Sequence, residues 1–196
     1  MRKLFKTFFM LCMLLMTTAG LCEAAASAET IDNGEEVGQI KRVAIAYPNY
    51  YKTLETEPTI DEFMEMLYEA SKVTKHFYVI SYDEVADKIK LDTGIDIKIL
   101  AKKNTMEAQK VYKEHIYKYA DAYVIVTLAN NSRVTMFGEA YLVNSNDRIY
   151  CLQLQSGKRD SYKTTKEYKD LAEQFYKTLD KAVQSEAKKL KDGKNK

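Results

Sequence analysis

Two histidines and three cysteines are the residues best suited to metal or nucleophilic chemistry in this 196-residue chain. Neither His76 nor His115 has a Cys, His, Asp or Glu at the short spacing that metal ligands use. His115 falls on an apolar helical stripe, where a hydrogen bond in or beside the core is its expected role. No Gly-x-Ser-x-Gly elbow and no glycine-rich phosphate loop occurs. A triad assembled from remote residues stays open, because triads have no fixed order in sequence. No metal and no cofactor is expected. Cys12 and Cys22 belong to an amino-terminal leader, and Cys151 sits among Ile149, Tyr150, Leu152 and Leu154, a strand pattern that places its thiol in the core.

One constellation is geometric. Ligands of open parallel sheets gather at the carboxyl ends of the strands. That edge should be formed by the loop Pro48–Glu57 with Tyr50 and Tyr51, by Asp83, and by the turn Asn130, Asn131, Ser132 and Arg133. Tyrosine, arginine and asparagine suit protein recognition. The same edge, with Asp83 or His115, would serve a small-molecule-binding or hydrolytic enzyme.

The elements that would position these residues follow from hydrophobic period. Arg42–Tyr47 is a continuous apolar run, as in a strand buried on both faces, and Pro48 ends it. Thr59-x-x-Glu62 is a capping box opening a helix with Ile60, Phe63, Met64, Leu67 and Ala70 on one face. His76–Ile80 is a second strand, and Ser81-x-x-Glu84 caps the helix after it. Residues 92–103 read as a loop or a short extended piece. Asn104-x-x-Glu107 caps a third helix, Ala122–Ala129 is the most apolar strand, and Arg133–Val143 and Arg148–Gln155 complete a meander. With Ser145 and Asn146 as its loop, Tyr141 opposes Tyr150, Phe137 opposes Leu154 and Ala140 opposes Cys151. Gly138 marks a bulge or close packing. Thr164-x-x-Glu167 caps a final helix of about 25 residues. The fold class is therefore α/β (mixed α+β): one mixed sheet of about five strands in the order βα-βα-α-βββ-α, flanked by helices.

Around this single domain, residues 41–190, lie a lead-in at 29–40 expected to be flexible and a basic tail at 191–196 expected to fray. Residues 1–28 have the form of a cleavable signal peptide. Arg2, Lys3 and Lys6 precede an uncharged stretch from Thr7 to Cys22, and Ala26-Ser27-Ala28 supplies an Ala-x-Ala site with cleavage between Ala28 and Glu29. The stretch is 16 residues, short of the roughly 20 that span a bilayer, so the mature chain has no membrane span. A lipoprotein anchored at Cys22 is the alternative, although Leu21 stands where lipidation needs a small residue. Removing the leader takes three of the 30 Lys and Arg and one of the 28 Asp and Glu, leaving balanced charge. That balance argues against nucleic acid and against bulk electrostatic binding to membranes.

The strand ending in Pro48, the strand–cap–helix Phe77–Glu84 and Ala120–Val126 leading into the meander carry a family likeness. Over most of residues 41–185 the pattern resembles the exported α/β domain found in the amino-terminal half of TolB, the curli-secretion protein CsgG and the penicillin-binding-protein activator LpoB. The resemblance implies a periplasmic or secreted, non-enzymatic module of the cell envelope that binds another protein. Self-association through a face bearing Phe137, Tyr141, Tyr150 and Leu154 is a further expectation.

Overall fold

The computed structural model describes residues 25–130, 133–157 and 164–194. Six strands form one mixed sheet in the spatial order β1-β6-β5-β4-β2-β3. They are β1 (Ala25–Ile31), β2 (Arg42–Ile45), β3 (Tyr78–Ile80), β4 (Ala122–Asn130), β5 (Val134–Leu142) and β6 (Arg148–Gln155). β3, β2 and β4 run parallel, whereas β4, β5, β6 and β1 are antiparallel neighbours. The helices are α1 (Gly34–Gln39), α2 (Ile60–Ser71), α3 (Tyr82–Thr93), α4 (Ile97–Lys103), α5 (Thr105–His115) and α6 (Thr165–Lys194).

The sheet is covered on two sides because its central strands are apolar on both faces. Val43 and Ile45 point into one core with Phe63 and Leu67 of α2 and with Leu171, Phe175 and Leu179 of α6. Ala44 and Ala46 point into the other, built with Val85 and Ile89 of α3, Ile97 of α4 and Tyr112 of α5. Side chains alternate along a strand, so one run of residues serves both layers. The capping box at Thr59 forms in both directions: Glu62 N–H donates to Thr59 Oγ1 (3.2 Å), and Thr59 N–H donates to Glu62 Oε2 (2.6 Å).

Three segments depart from expectation. Residues 29–40 are structured, since the end of β1 pairs with β6, and Val37 of α1 and Ile40 just after it are buried. Two apolar residues three apart are too few to give a period, but they suffice to seat one turn of helix beneath α6. Residues 92–103 are neither loop nor strand. Gly94 closes α3 in a left-handed conformation (φ 75°), and the Asp96 side chain accepts from Ile99 N–H (3.1 Å) to open α4. The tail does not fray at residue 191, because α6 continues through Lys194.

β1 also runs through the expected cleavage position. Ala25, Ala26 and Ala28 pair with Gln155, Leu154 and Gln153, so cleavage after Ala28 leaves Glu29–Ile31 as the edge strand.

The β5–β6 register differs by one residue from the two-residue hairpin. The turn spans residues 143–147 with Asn146 in the left-handed region (φ 61°), and the register shifts between Ala140 and Tyr141. Ala140 consequently opposes Tyr150, Glu139 opposes Cys151 and Phe137 opposes Gln153. A one-residue slip moves side chains to the other face. Tyr150 and Leu154 lie fully buried in the α6 core, while Phe137 and Tyr141 are half-buried on the other side, so the four share no face. Cys151 is half-buried on that other side and not in the core. Burial, and next the charge of Glu139, push its thiol above the usual range.

Helix α1 lies very close to α6. A Cβ on Gly38 would stand 2.8 Å from the backbone N of Ala187 and the carbonyl carbon of Glu186. Gly38→Ala therefore forces backbone movement and should cost about 1–3 kcal/mol in urea denaturation. At Gly34 the obstruction is the carboxylate of Glu186, a side-chain end able to swing away, so Gly34→Ala should cost less. Equal losses at the two positions would refute this packing.

Candidate functional site

The carboxyl ends of β2 and β3 open into a cleft of about 630 Å³. Its walls are the first turns of α2, the start of α3 and the outward side of α4. Thr59 and Ser81 set the two helix starts, each accepting from the backbone N–H three residues on. Asp61, Met64, Glu65 and Tyr68 line the α2 wall, and Lys98 and Lys102 line the α4 wall.

The floor is aromatic. The rings of Tyr47 and Tyr82 lie 5.5 Å apart, and Tyr82 stacks on Tyr112 at 5.7 Å. Burial first, then the charges of Asp61 and Tyr51, raise the Tyr47 hydroxyl above its ordinary pKa. The Tyr82 hydroxyl is pushed up more strongly, chiefly by burial. Both are neutral at physiological pH; Tyr82 is buried with its hydroxyl donating to Ile97 O (3.4 Å), whereas the half-buried Tyr47 reaches the cleft surface.

Charge is divided between the walls. Lys98 pairs with Asp87 (2.8 Å) and with Asp83 (3.3 Å). The hydrogen bond to Asp87, opposed by burial and reinforced by Asp83, raises the Lys98 ammonium above its ordinary value. Asp61, Glu65 and Lys102 have no ion pair among the described residues.

A second depression of about 340 Å³ adjoins the first, sharing Tyr47 and Lys102 and bounded by Tyr51 and Lys52. The loop there is held by a buried carboxylate. Glu57, 2 % exposed, accepts from Thr53 N–H (2.6 Å), Leu54 N–H (3.3 Å) and the Thr53 hydroxyl (3.0 Å). Burial alone would raise its pKa, but these bonds outweigh it and hold the carboxyl below the usual range. With the loop fastened at that end, Tyr51 stands 84 % exposed.

The residues expected at this edge separate. Asp83 lines the cleft and Tyr51 the adjoining depression. Tyr50 borders the same depression but turns its side chain into the core, 5 % exposed, its hydroxyl donating to Pro58 O (2.7 Å) and its ring packed on Phe63 (5.5 Å). In a Tyr-Tyr pair on an irregular loop, sequence does not reveal which ring turns inward. Asn130 donates to the Tyr168 hydroxyl (3.0 Å), and Arg133 is half-buried at the start of β5 outside the cleft. Asn131 and Ser132 lie outside the described residues.

Asp61 and Glu65 carry no sequence signal beyond the polar side of an amphipathic helix, Tyr47 reads only as the end of a strand, and Lys98 and Lys102 fall in the segment expected to be a loop or extended piece. His115 does not line the cleft, and its Nδ1 is buried without a hydrogen-bond partner among the described residues. His76 pairs with Asp180 (2.9 Å), 104 residues away, and ties the α2–β3 turn to α6. Among the described residues no group of three His, Cys, Asp or Glu could hold a metal, and no helix is long and apolar enough to cross a membrane.

No protein-family model matches the chain, and no curated protein matches it significantly. Solved structures do align with it. One is a PelC variant dodecamer from Paraburkholderia phytofirmans, with 9 % identity over 78 % of this chain and 96 % of that one at a TM-score of 0.46. A second PelC dodecamer from the same organism aligns at 8 % identity over 80 % of this chain and 95 % of that one, with a TM-score of 0.40. The hypothetical protein CT253 from Chlamydia trachomatis aligns at 9 % identity over 74 % and 94 %, with a TM-score of 0.35. Neither assembly nor role transfers at that degree of likeness.

Proposed function

We propose that this chain is an exported, non-enzymatic module of the cell envelope that binds a segment of another protein in the cleft between α2, α3 and α4. The cleft carries the reading. It is large enough for several side chains, floored by tyrosines, and walled by carboxylates and an ammonium without partners of their own. The leader pattern and the resemblance to exported binding domains support the compartment. The lining offers hydrogen-bonding and ring surfaces, and its Lys98 and Asp83 are paired with each other, Lys98 also with Asp87 beside the cleft.

Crosslinking capture of the exported protein from its own envelope tests this. Reversing two wall charges, Asp61→Lys with Glu65→Lys, should reduce recovery of the specific partner at least tenfold. Both residues are exposed, so circular dichroism should be unchanged and the melting temperature should fall only slightly, by the cost of a cation in the first turn of α2. The same reversal on the far side, Glu173→Lys, should leave recovery intact. Equal capture by all three proteins would contradict the reading.

A further inference from the structure

We infer that the cleft selects a peptide segment bearing a cationic and an anionic group a few residues apart, the cation against α2 and the anion against Lys102. The inference deepens the binding reading above and rests on it. Asp61 and Glu65 stand one helical turn apart on the same wall, and neither has an ion pair among the described residues. Like charges at that spacing weaken a helix. Asp61 is compensated in part by its place in the first turn of α2, whereas Glu65 lies beyond that turn and has no such relief. A cation between the two carboxylates would relieve the repulsion, and the half-buried Tyr47 lines the same cleft. The adjacent Tyr68 ring already holds a cation over its face, with the ammonium of Lys72 5.6 Å from its centroid.

The sign of the charge changes across the mouth. Lys98 is neutralised by Asp83 and Asp87, which leaves the exposed Lys102 as the ammonium available on the α4 wall. Lys102 stands where the two depressions meet, and the groove continues from there to Tyr51. A uniformly basic segment would meet Lys102, and a uniformly acidic one would meet Asp61 and Glu65. A segment with both charges matches both walls while its backbone passes over Tyr47. The length of the groove, two adjoining depressions and not one pocket, fits an extended chain in preference to a single small molecule.

The probes are three capped hexapeptides, one alternating lysine and glutamate, one all lysine and one all glutamate. Each is titrated by NMR against the exported chain at physiological salt. The alternating peptide should bind about tenfold tighter than either of the others, with shifts at Tyr47, Asp61 and Lys102. Asp61→Asn with Glu65→Gln should remove its advantage over the glutamate peptide, and Lys102→Gln its advantage over the lysine peptide. The inference is overturned if affinity follows net peptide charge alone, if neither variant changes the order, or if no peptide saturates at millimolar concentration. If the peptides behave as stated but envelope capture ignores the cleft, the protein-binding reading fails while the ligand chemistry stands. If capture depends on the cleft but the alternating peptide has no advantage, this inference alone fails.

Discussion

Gly138→Ala should destabilise the domain by about 3 kcal/mol, at or beyond the upper end for an added methyl group in a packed core. Gly138 is at the middle of β5, and the Phe175 ring of α6 lies directly on it. A Cβ there would stand 2.2 Å from Phe175 Cε2 and 2.4 Å from Cδ2. The ring has little room to retreat, being fully buried between Tyr176 (centroids 5.1 Å) and Tyr150 (6.4 Å). The methyl group therefore has to displace α6 from the sheet or strain both rings. Phe175→Leu alone leaves a cavity and is also destabilising. Combined with Gly138→Ala, however, it removes the obstruction, so the double variant should be more stable than the sum of the single losses implies. Urea denaturation of the four proteins gives the cycle. A loss under about 0.5 kcal/mol for Gly138→Ala, within the range of ordinary surface substitutions, would show that the helix does not rest on this glycine.

Asp180→Ala should cost about 2–3 kcal/mol and alter the acid limb of the stability profile. The Asp180 carboxylate, 8 % exposed, accepts from Lys75 N–H, His76 N–H and the His76 ring, each at 2.9 Å. Removing it strands two backbone donors in the turn between α2 and β3. Burial works to raise the Asp180 pKa, but the bonds from His76 and Lys75 prevail and hold it below the usual carboxylate range. A carboxyl depressed in the folded state adds stability above its unfolded pKa of about 3.9. That contribution is lost as pH falls through the lower folded value. Above pH 5 the contribution of the ionised Asp180 is fully present, and the variant should lack it. Below pH 4 the two curves should converge, because wild type loses what the variant already lacks. Parallel acid limbs would contradict the assignment.

Much of the fold was legible because its signals are local. The capping box at Thr59, the N-cap at Ser81, the proline after β2 and the apolar run of β4 each fix an element without reference to the rest of the chain. Non-local features were harder to read. The burial of Val37 depends on α6 passing overhead, the register of Tyr150 depends on a shift between Ala140 and Tyr141, and the link from His76 to Asp180 spans 104 residues.

The site divides in the same way. Carboxyl-end geometry led to Tyr51 and Asp83, which depend only on where strands stop. Asp61 and Glu65 look like ordinary solvated helix residues, and Lys102 like a loop lysine, until α2 and α4 are placed across a cleft from each other. The burial of the Tyr50 ring is not legible locally, being decided by Phe63 and Tyr168 on two distant helices.

On the proposed reading, partners bind in this cleft. A photo-reactive amino acid installed at Glu65, inside it, and separately at Lys181, exposed on α6, tests that claim most directly in the native envelope. A discrete adduct from position 65, absent from position 181 and competed by excess unmodified protein, is the predicted result. An adduct from position 181 alone, or the same adducts from both, would contradict it.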